Sequence, residues 1–148
     1  MPRLIKPSIK NLQIFVDDRG VFVPFIQNIE VSRELKIKRV YYIRNSQKNV
    51  IRGFHFHRKE WKVFTIIQGS AKFVAINPDN PKEKYIFVCS ERESMTIIVP
   101  PGYANGWMSL EDNTILLAGS SATLEESLKD DKRFDPYLWE DFWTIKAR

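Results

Sequence analysis

From residue 12 to residue 118 the chain alternates short apolar runs with turn residues. LQIFV (12–16) stops at Asp17-Asp18-Arg19-Gly20. VFVPFI (21–26) follows, then KRVYYI (38–43) and WKVFTII (61–67), which runs into Gln68-Gly69-Ser70. AKFVAI (71–76) ends at the turn-rich NPDNP, KYIFVCS (84–90) comes next, MTIIVP (95–100) meets Pro101-Gly102, and TILLAG (114–119) closes the series. β-Branched and aromatic residues dominate these runs, and they recur roughly every ten residues with turn signals between them, which predicts an all-β sandwich or barrel. Pro24 marks an edge strand or a bulge, because proline donates nothing to a central ladder. Helix is expected only in SSATLEESLKDDKRF (120–134), where Thr123 has the character of a cap. The acidic run EESLKDD (125–131) reads as a solvated helix face, and RELKIK (33–38) as a turn or exposed edge.

Composition narrows this further. A chain of 148 residues is expected to form one domain, residues 1–148, with a single core. Ten Phe, five Tyr and four Trp suggest a rich core or a stacking site. No run of about eighteen apolar residues occurs, so no membrane association and a cytoplasmic location are expected. The single cysteine, Cys89, sits in YIFVCS as a buried strand residue. The net charge of +5 is spread along the chain without a dense cluster or a nucleic-acid-binding signature. Nucleic acid is therefore not the expected partner, whereas a small phosphorylated ligand needs only a few of these charges.

The chain has two histidines, and both fall in IRGFHFHRKEWK (51–62) as His55 and His57. On a strand the period of two puts both imidazoles on one face, with Arg52 of opposite parity and Phe54 and Phe56 behind. Three readings follow. The HxH pair with Glu60 resembles part of a cupin metal set, but no third histidine exists and Asn105 occupies the position where one is expected. The pair could instead be satisfied core residues. Or it could be a metal-free site in which Arg52, His55, His57, Glu60 and Lys62 form a basic wall suited to an anionic ligand and to general-base work.

The ordered pieces DDRGVF (17–22), RGFHFH (52–57), Lys62 seven residues before Gly69, PPGYANGW (100–107) and RFDPYLW (133–139) resemble the dTDP-4-dehydrorhamnose 3,5-epimerase family over most of the chain. That resemblance implies a cupin-type jelly-roll β-barrel, usually a homodimer. It implies action without metal or organic cofactor on a nucleoside-diphosphate 4-keto-6-deoxy sugar, by proton abstraction beside the ketone and return to the opposite face. By match to the motifs, His55 is the base, Lys62 faces the enolate oxygen and Arg52 orients the substrate. Arg19 is the residue that meets the diphosphate or sugar across the dimer, a structural turn role being the alternative. Two departures stand out: Asn105 replaces a histidine, and the strand that carries the family's acid tyrosine reads TILLAGSS here, with Ala118. The chain also lacks the stretch with which the family continues beyond RFDPYLW.

The chain is similar as well to the dTDP-4-keto-6-deoxyglucose 3,4-ketoisomerases, through KRVYYI and RGFHFH. In that reading Tyr41 or Tyr42 shares the proton traffic with the two histidines, and strand parity lets only one tyrosine face inward. Trp61, Trp107, Tyr41, Tyr42 and Phe54 are either core filling or stacking surfaces, with Trp107 the stronger stacking candidate. Asn105, in the PPGYANGW loop, reads as a turn or pocket hydrogen-bonding residue. The expected site thus has His55 as base, Lys62 and Arg52 as electrostatic partners, and His57 or Tyr42 as proton relay. Arg19, Asn105, Trp107 and Tyr41 are placed on the substrate. Epimerisation is favoured, with 3,4-ketoisomerisation and non-catalytic sugar-nucleotide binding as alternatives.

Overall fold

The computed structural model describes residues 5–27, 29 and 32–148. Its strands are β1 (Ser8–Asn11), β2 (Phe15–Asp17), β3 (Gly20–Phe22), β4 (Arg39–Asn45), β5 (Ile51–Phe56), β6 (Lys62–Gln68), β7 (Ser70–Ile76), β8 (Lys84–Ser90), β9 (Met95–Val99), β10 (Ala104–Ser109), β11 (Thr114–Ser120) and β12 (Lys132–Arg133), with one helix, α1 (Leu124–Lys129), before β12. Two five-stranded sheets, β1-β9-β6-β11-β4 and β12-β5-β10-β7-β8, carry the fold, and β2 and β3 pair only with each other. Every pairing is antiparallel. The result is a cupin-type jelly roll.

Alternation along the strands divides the apolar residues into three sets. Phe64, Ile97, Val99, Leu116 and Ala118 from the first sheet meet Phe73, Cys89, Tyr103 and Trp107 from the second, forming the interior. On the outer face of the first sheet, Trp61, Val63 and Ile98 are covered by Phe25, Ile26, Leu35 and Ile37. On the outer face of the second, Phe54, Val74, Ile76 and Met108 lie under Phe134, Trp139, Phe142 and Trp143. The chain's own flanking segments thus supply the layer that shields each sheet from water.

Several sequence expectations change here. LQIFV is not one strand: the chain leaves β1 at Asn11 and re-forms at Phe15. Pro24 lies just beyond β3 rather than within a strand. Leu35 and Ile37 of RELKIK are packed against the first sheet rather than forming an exposed edge. PPGYANGW is not a loop throughout, since Ala104–Ser109 form β10 and all six residues are buried. Asn and Gly are poor strand formers, so propensity hid this strand, but Gly106 has a packing reason. A Cβ on Gly53 would lie 2.6 Å from Gly106 Cα, so β5 and β10 approach more closely than side chains allow.

Candidate active site

The interior opens into a cavity of about 650 Å³ lined by residues of both sheets and by α1. From the second sheet come Arg52, His55, Asn105 and Trp107; from the first come Arg39, Tyr41 and Lys62. His55 and His57 face the same space as the strand period requires, and His57 sits just past the end of β5. Arg52 does not follow that parity. The ladder pairs Asn105 with His55 but Trp107 with Arg52, so β5 spends one residue more than β10 over this interval. This bulge at Gly53, whose φ of +135° suits glycine, returns Arg52 to the inner face beside Trp107. Its Nε then donates to Asn45 Oδ1 at 2.6 Å.

The tyrosine question is settled by exposure. Tyr42 is 70% exposed on the outer face of β4 and lines no part of the cavity, which corrects its placement as a proton relay; Tyr41 points inward. Tyr41 pairs across the ladder with Ala118, and Ala118 in turn with Phe64. The small Ala118 side chain therefore leaves room for the ring that β4 supplies. Burial, with the Glu60 carboxylate adding to it, pushes the Tyr41 hydroxyl up to about 12 despite the Arg39 guanidinium 4.8 Å from the ring centroid. The phenol stays protonated at neutral pH and can donate.

Glu125, Glu126 and Lys129 of the acidic run 125–131 are exposed, as a solvated helix face requires, but Ser127 is buried and Asp131 turns inward. Asp131 follows α1 closely and places Oδ1 3.3 Å from His55 Nδ1 and 3.4 Å from His57 Nε2. Arg133 Nε donates to Asp131 Oδ2 at 3.0 Å. The β12–β5 pairing, which sets Arg133 opposite His55, brings this segment to the histidines. Burial works to raise the Asp131 carboxyl, but the Arg133 and His55 hydrogen bonds outweigh it and hold the group below the ordinary carboxylate range. With Nδ1–H assigned to the carboxylate, His55 Nε2 carries the lone pair. Burial lowers the His55 imidazole from its usual value, opposed by the Asp131 hydrogen bond and assisted by the Lys62 charge, so the ring is a neutral base at pH 7.

Behind this pair lies Glu60, which the sequence placed in the cavity wall and which is instead buried at the centre of a hydrogen-bond network. Glu60 Oε1 accepts from Ser120 Oγ at 2.5 Å and from Arg39 at 3.1 Å, and Oε2 accepts from Ser127 Oγ at 2.8 Å. Those partners show Glu60 spent on a hydrogen-bond network. Among the described residues no cluster of three or more His, Cys, Asp or Glu side chains is arranged to hold a metal. Lys62 is 8% exposed, and burial lowers its ammonium, with Glu60 pulling it up and Arg39 pushing it down. Asn105 Nδ2 reaches the His55 carbonyl at 3.4 Å.

The remaining sequence candidates separate cleanly. Trp107 is buried and lines the cavity. Trp61 belongs to the outer layer of the first sheet, so it is not a stacking surface for a ligand in the cavity. Phe54 is fully buried with its ring among Trp139, Phe142 and Trp143. Arg19 is exposed in the β2–β3 hairpin, ion-paired with Asp17 and outside the cavity lining. Cys89 is buried, and burial raises its thiol to about 11, so it is an inert packing residue. Among the described residues no helix is long and apolar enough to cross a membrane.

A jelly roll that closes two antiparallel sheets over a cavity carrying a carboxylate-held histidine is a cupin fold with a histidine placed for proton transfer. The chain belongs to the dTDP-4-dehydrorhamnose 3,5-epimerase family, whose model matches residues 6–133. It is 34% identical over 67 residues to the TDP-4-oxo-6-deoxy-alpha-D-glucose-3,4-oxoisomerase of Aneurinibacillus thermoaerophilus, a match covering 45% of this chain and about half, 47%, of that protein. It is 28% identical over 127 residues to the dTDP-4-dehydrorhamnose 3,5-epimerase of Methanothermobacter thermautotrophicus, covering 77% of this chain and 69% of the relative. Among solved structures it resembles QdtA, a sugar 3,4-ketoisomerase from Thermoanaerobacterium thermosaccharolyticum solved in complex with TDP, with a TM-score of 0.72, 25% identity, and coverage of 89% and 90% of the two chains.

Proposed function

We propose that this protein epimerises a carbon beside the C4 ketone of a dTDP-linked 4-keto-6-deoxy sugar. The observation that carries this reading is the placement of His55 on one sheet and Tyr41 on the other, both facing one cavity. A sugar ring held between the sheets has a base against one face and a hydroxyl donor against the opposite face, which inversion requires. The ketone acidifies the neighbouring C–H; His55 Nε2 removes the proton as Asp131 accepts from Nδ1–H, and the Lys62 ammonium faces the negative charge that grows on the ketone oxygen. Tyr41 then delivers a proton to the other face. Arg52 and Arg133, at the cavity wall, supply positive charge for a diphosphate.

The 3,4-ketoisomerase reading has one observation in its favour: the inward hydroxyl comes from the KRVYYI strand, as the resemblance to those enzymes implies, and not from β11. Abstraction at C3 is common to both reactions: epimerisation returns a proton to the opposite face of C3, whereas isomerisation returns it to C4 and moves the O3 hydroxyl proton to O4. Proton NMR of dTDP-4-keto-6-deoxyglucose in deuterated water separates them. Deuterium at C3 or C5 with the carbonyl still at C4 and inversion at that carbon is expected; a carbonyl arriving at C3 establishes the isomerase. His55→Asn is expected to abolish exchange, a loss of about 10²–10⁴-fold, while leaving nucleotide binding intact. Unimpaired exchange in that variant would overturn the base assignment.

A further inference from the structure

We infer that His57 is not a second base but a positioning residue, which shares the Asp131 carboxylate with His55 and so sets the orientation and basicity of the base. The inference rests on the reading of His55 as that base. His57 is 4% exposed, and its Nε2 meets three oxygen atoms: Ser127 Oγ at 3.2 Å, Glu60 Oε2 at 3.3 Å and Asp131 Oδ1 at 3.4 Å. Among the described residues, Nδ1 on the same ring is buried without a hydrogen-bond partner. A nitrogen facing acceptors carries the proton and an unpartnered one carries the lone pair, because a buried N–H without an acceptor is costly. Ser127 is already committed as a donor to Glu60, so its oxygen is free to accept from His57. The ring is therefore the neutral Nε2–H tautomer, and its proton is directed at the oxygen cluster and not at a substrate.

The consequence runs through Asp131. One oxygen, Oδ1, lies within 3.4 Å of both rings. The His57 N–H, hydrogen-bonded to Ser127 Oγ, brings the positive end of its dipole to 3.4 Å from that oxygen and offsets part of its charge, which weakens its hold on a protonated His55. Glu60, tied to β11 by Ser120, to β4 by Arg39 and to α1 by Ser127, anchors His57 in this position. The charged groups that face the His57 ring are Lys62, Glu60, Asp131 and Asp130. Arg39 is hydrogen-bonded to Glu60 and Arg133 to Asp131.

Two measurements test this. The chain has only two histidines, so a long-range proton–nitrogen NMR spectrum of the wild-type protein contains four imidazole nitrogens, assigned with His55→Asn. The expected result is His55 protonated at Nδ1 and His57 at Nε2, with His57 remaining neutral throughout the pH range in which His55 titrates. A His57 ring protonated at Nδ1, or titrating before His55, overturns the inference whether or not the substrate has been correctly identified. The second measurement is the pH profile of kcat/KM. His57→Leu removes the shared N–H and is expected to move the acid limb to higher pH and to lower kcat about tenfold with little change in KM. His57→Gln returns an N–H close to the position of Nε2 and is expected to restore the limb. A profile unmoved in the Leu variant, or equal losses in both variants, shows a merely structural histidine.

Discussion

Tyr41 and Tyr42 are neighbours in sequence with opposite fates, and the difference is one step of strand parity. Tyr41→Phe keeps the ring that fills the space beside Ala118 and removes only the donor. Exchange of the substrate proton for solvent deuterium should then continue, because His55 can remove a proton and return it to the same face, while inversion should slow by about a hundredfold. NMR reads both quantities in one sample; equal loss of exchange and inversion would remove Tyr41 from the role of acid. The cavity histidine proposed as the base was legible in the sequence because RGFHFH carries it in a local pattern. Asp131 was not, since a carboxylate in an acidic run looks solvated until β12 pairs with β5 and brings it 76 residues back along the chain to the histidines. The dependence of activity on pH follows from the same burial: His55 works only when neutral, and its lowered value keeps kcat/KM high to a pH below the ordinary imidazole range of about 6.5.

At the level of elements, apolar alternation marked β4, β6, β7, β8, β9 and β11, all of which turn apolar residues, Tyr41, Ile43, Tyr85, Phe87 and Cys89 among them, toward the interior. It failed at β10, where Ala-Asn-Gly-Trp-Met-Ser holds a strand because its neighbours demand one. The bulge on β5 escaped the same reading, and with it the inward turn of Arg52, since a two-residue period has no means of announcing an extra residue. Gly53 joins the two: it has φ +135° and its Cα faces that of Gly106. Gly53→Ala must pay backbone strain on the order of 1–3 kcal/mol and also separate the strands. The melting temperature is expected to fall by several degrees, with loss of the His55–Asp131 contact, whereas Gly20→Ala, at a position where a Cβ meets nothing within 4 Å, should pay only for its own positive φ. Equal stability losses at the two sites would show that the close approach of β5 and β10 is unimportant.

Across the molecule the hairpin β2–β3 stands apart from both sheets, with Val16, Val21 and Phe22 more than 65% exposed. An apolar hairpin carrying Arg19 at its turn suits burial against a second copy, whose cavity the arginine would then reach. Sedimentation is expected to give a dimer, and Val16→Asp with Phe22→Asp should yield monomers with weakened nucleotide binding; a wild-type monomer at micromolar concentration would end that expectation. The two outer shields described above also differ in the order in which the ribosome delivers them. Phe25, Ile26, Leu35 and Ile37 emerge before most of the sheet they cover, but Phe134, Trp139, Phe142 and Trp143 emerge after theirs, so a nascent chain leaves Phe54, Val74 and Met108 bare until these four are free. Asp131 arrives just ahead of them. Shielding of the second sheet and clamping of the histidines are thus completed together, and a chain halted short of this point is aggregation-prone and inactive for the same reason.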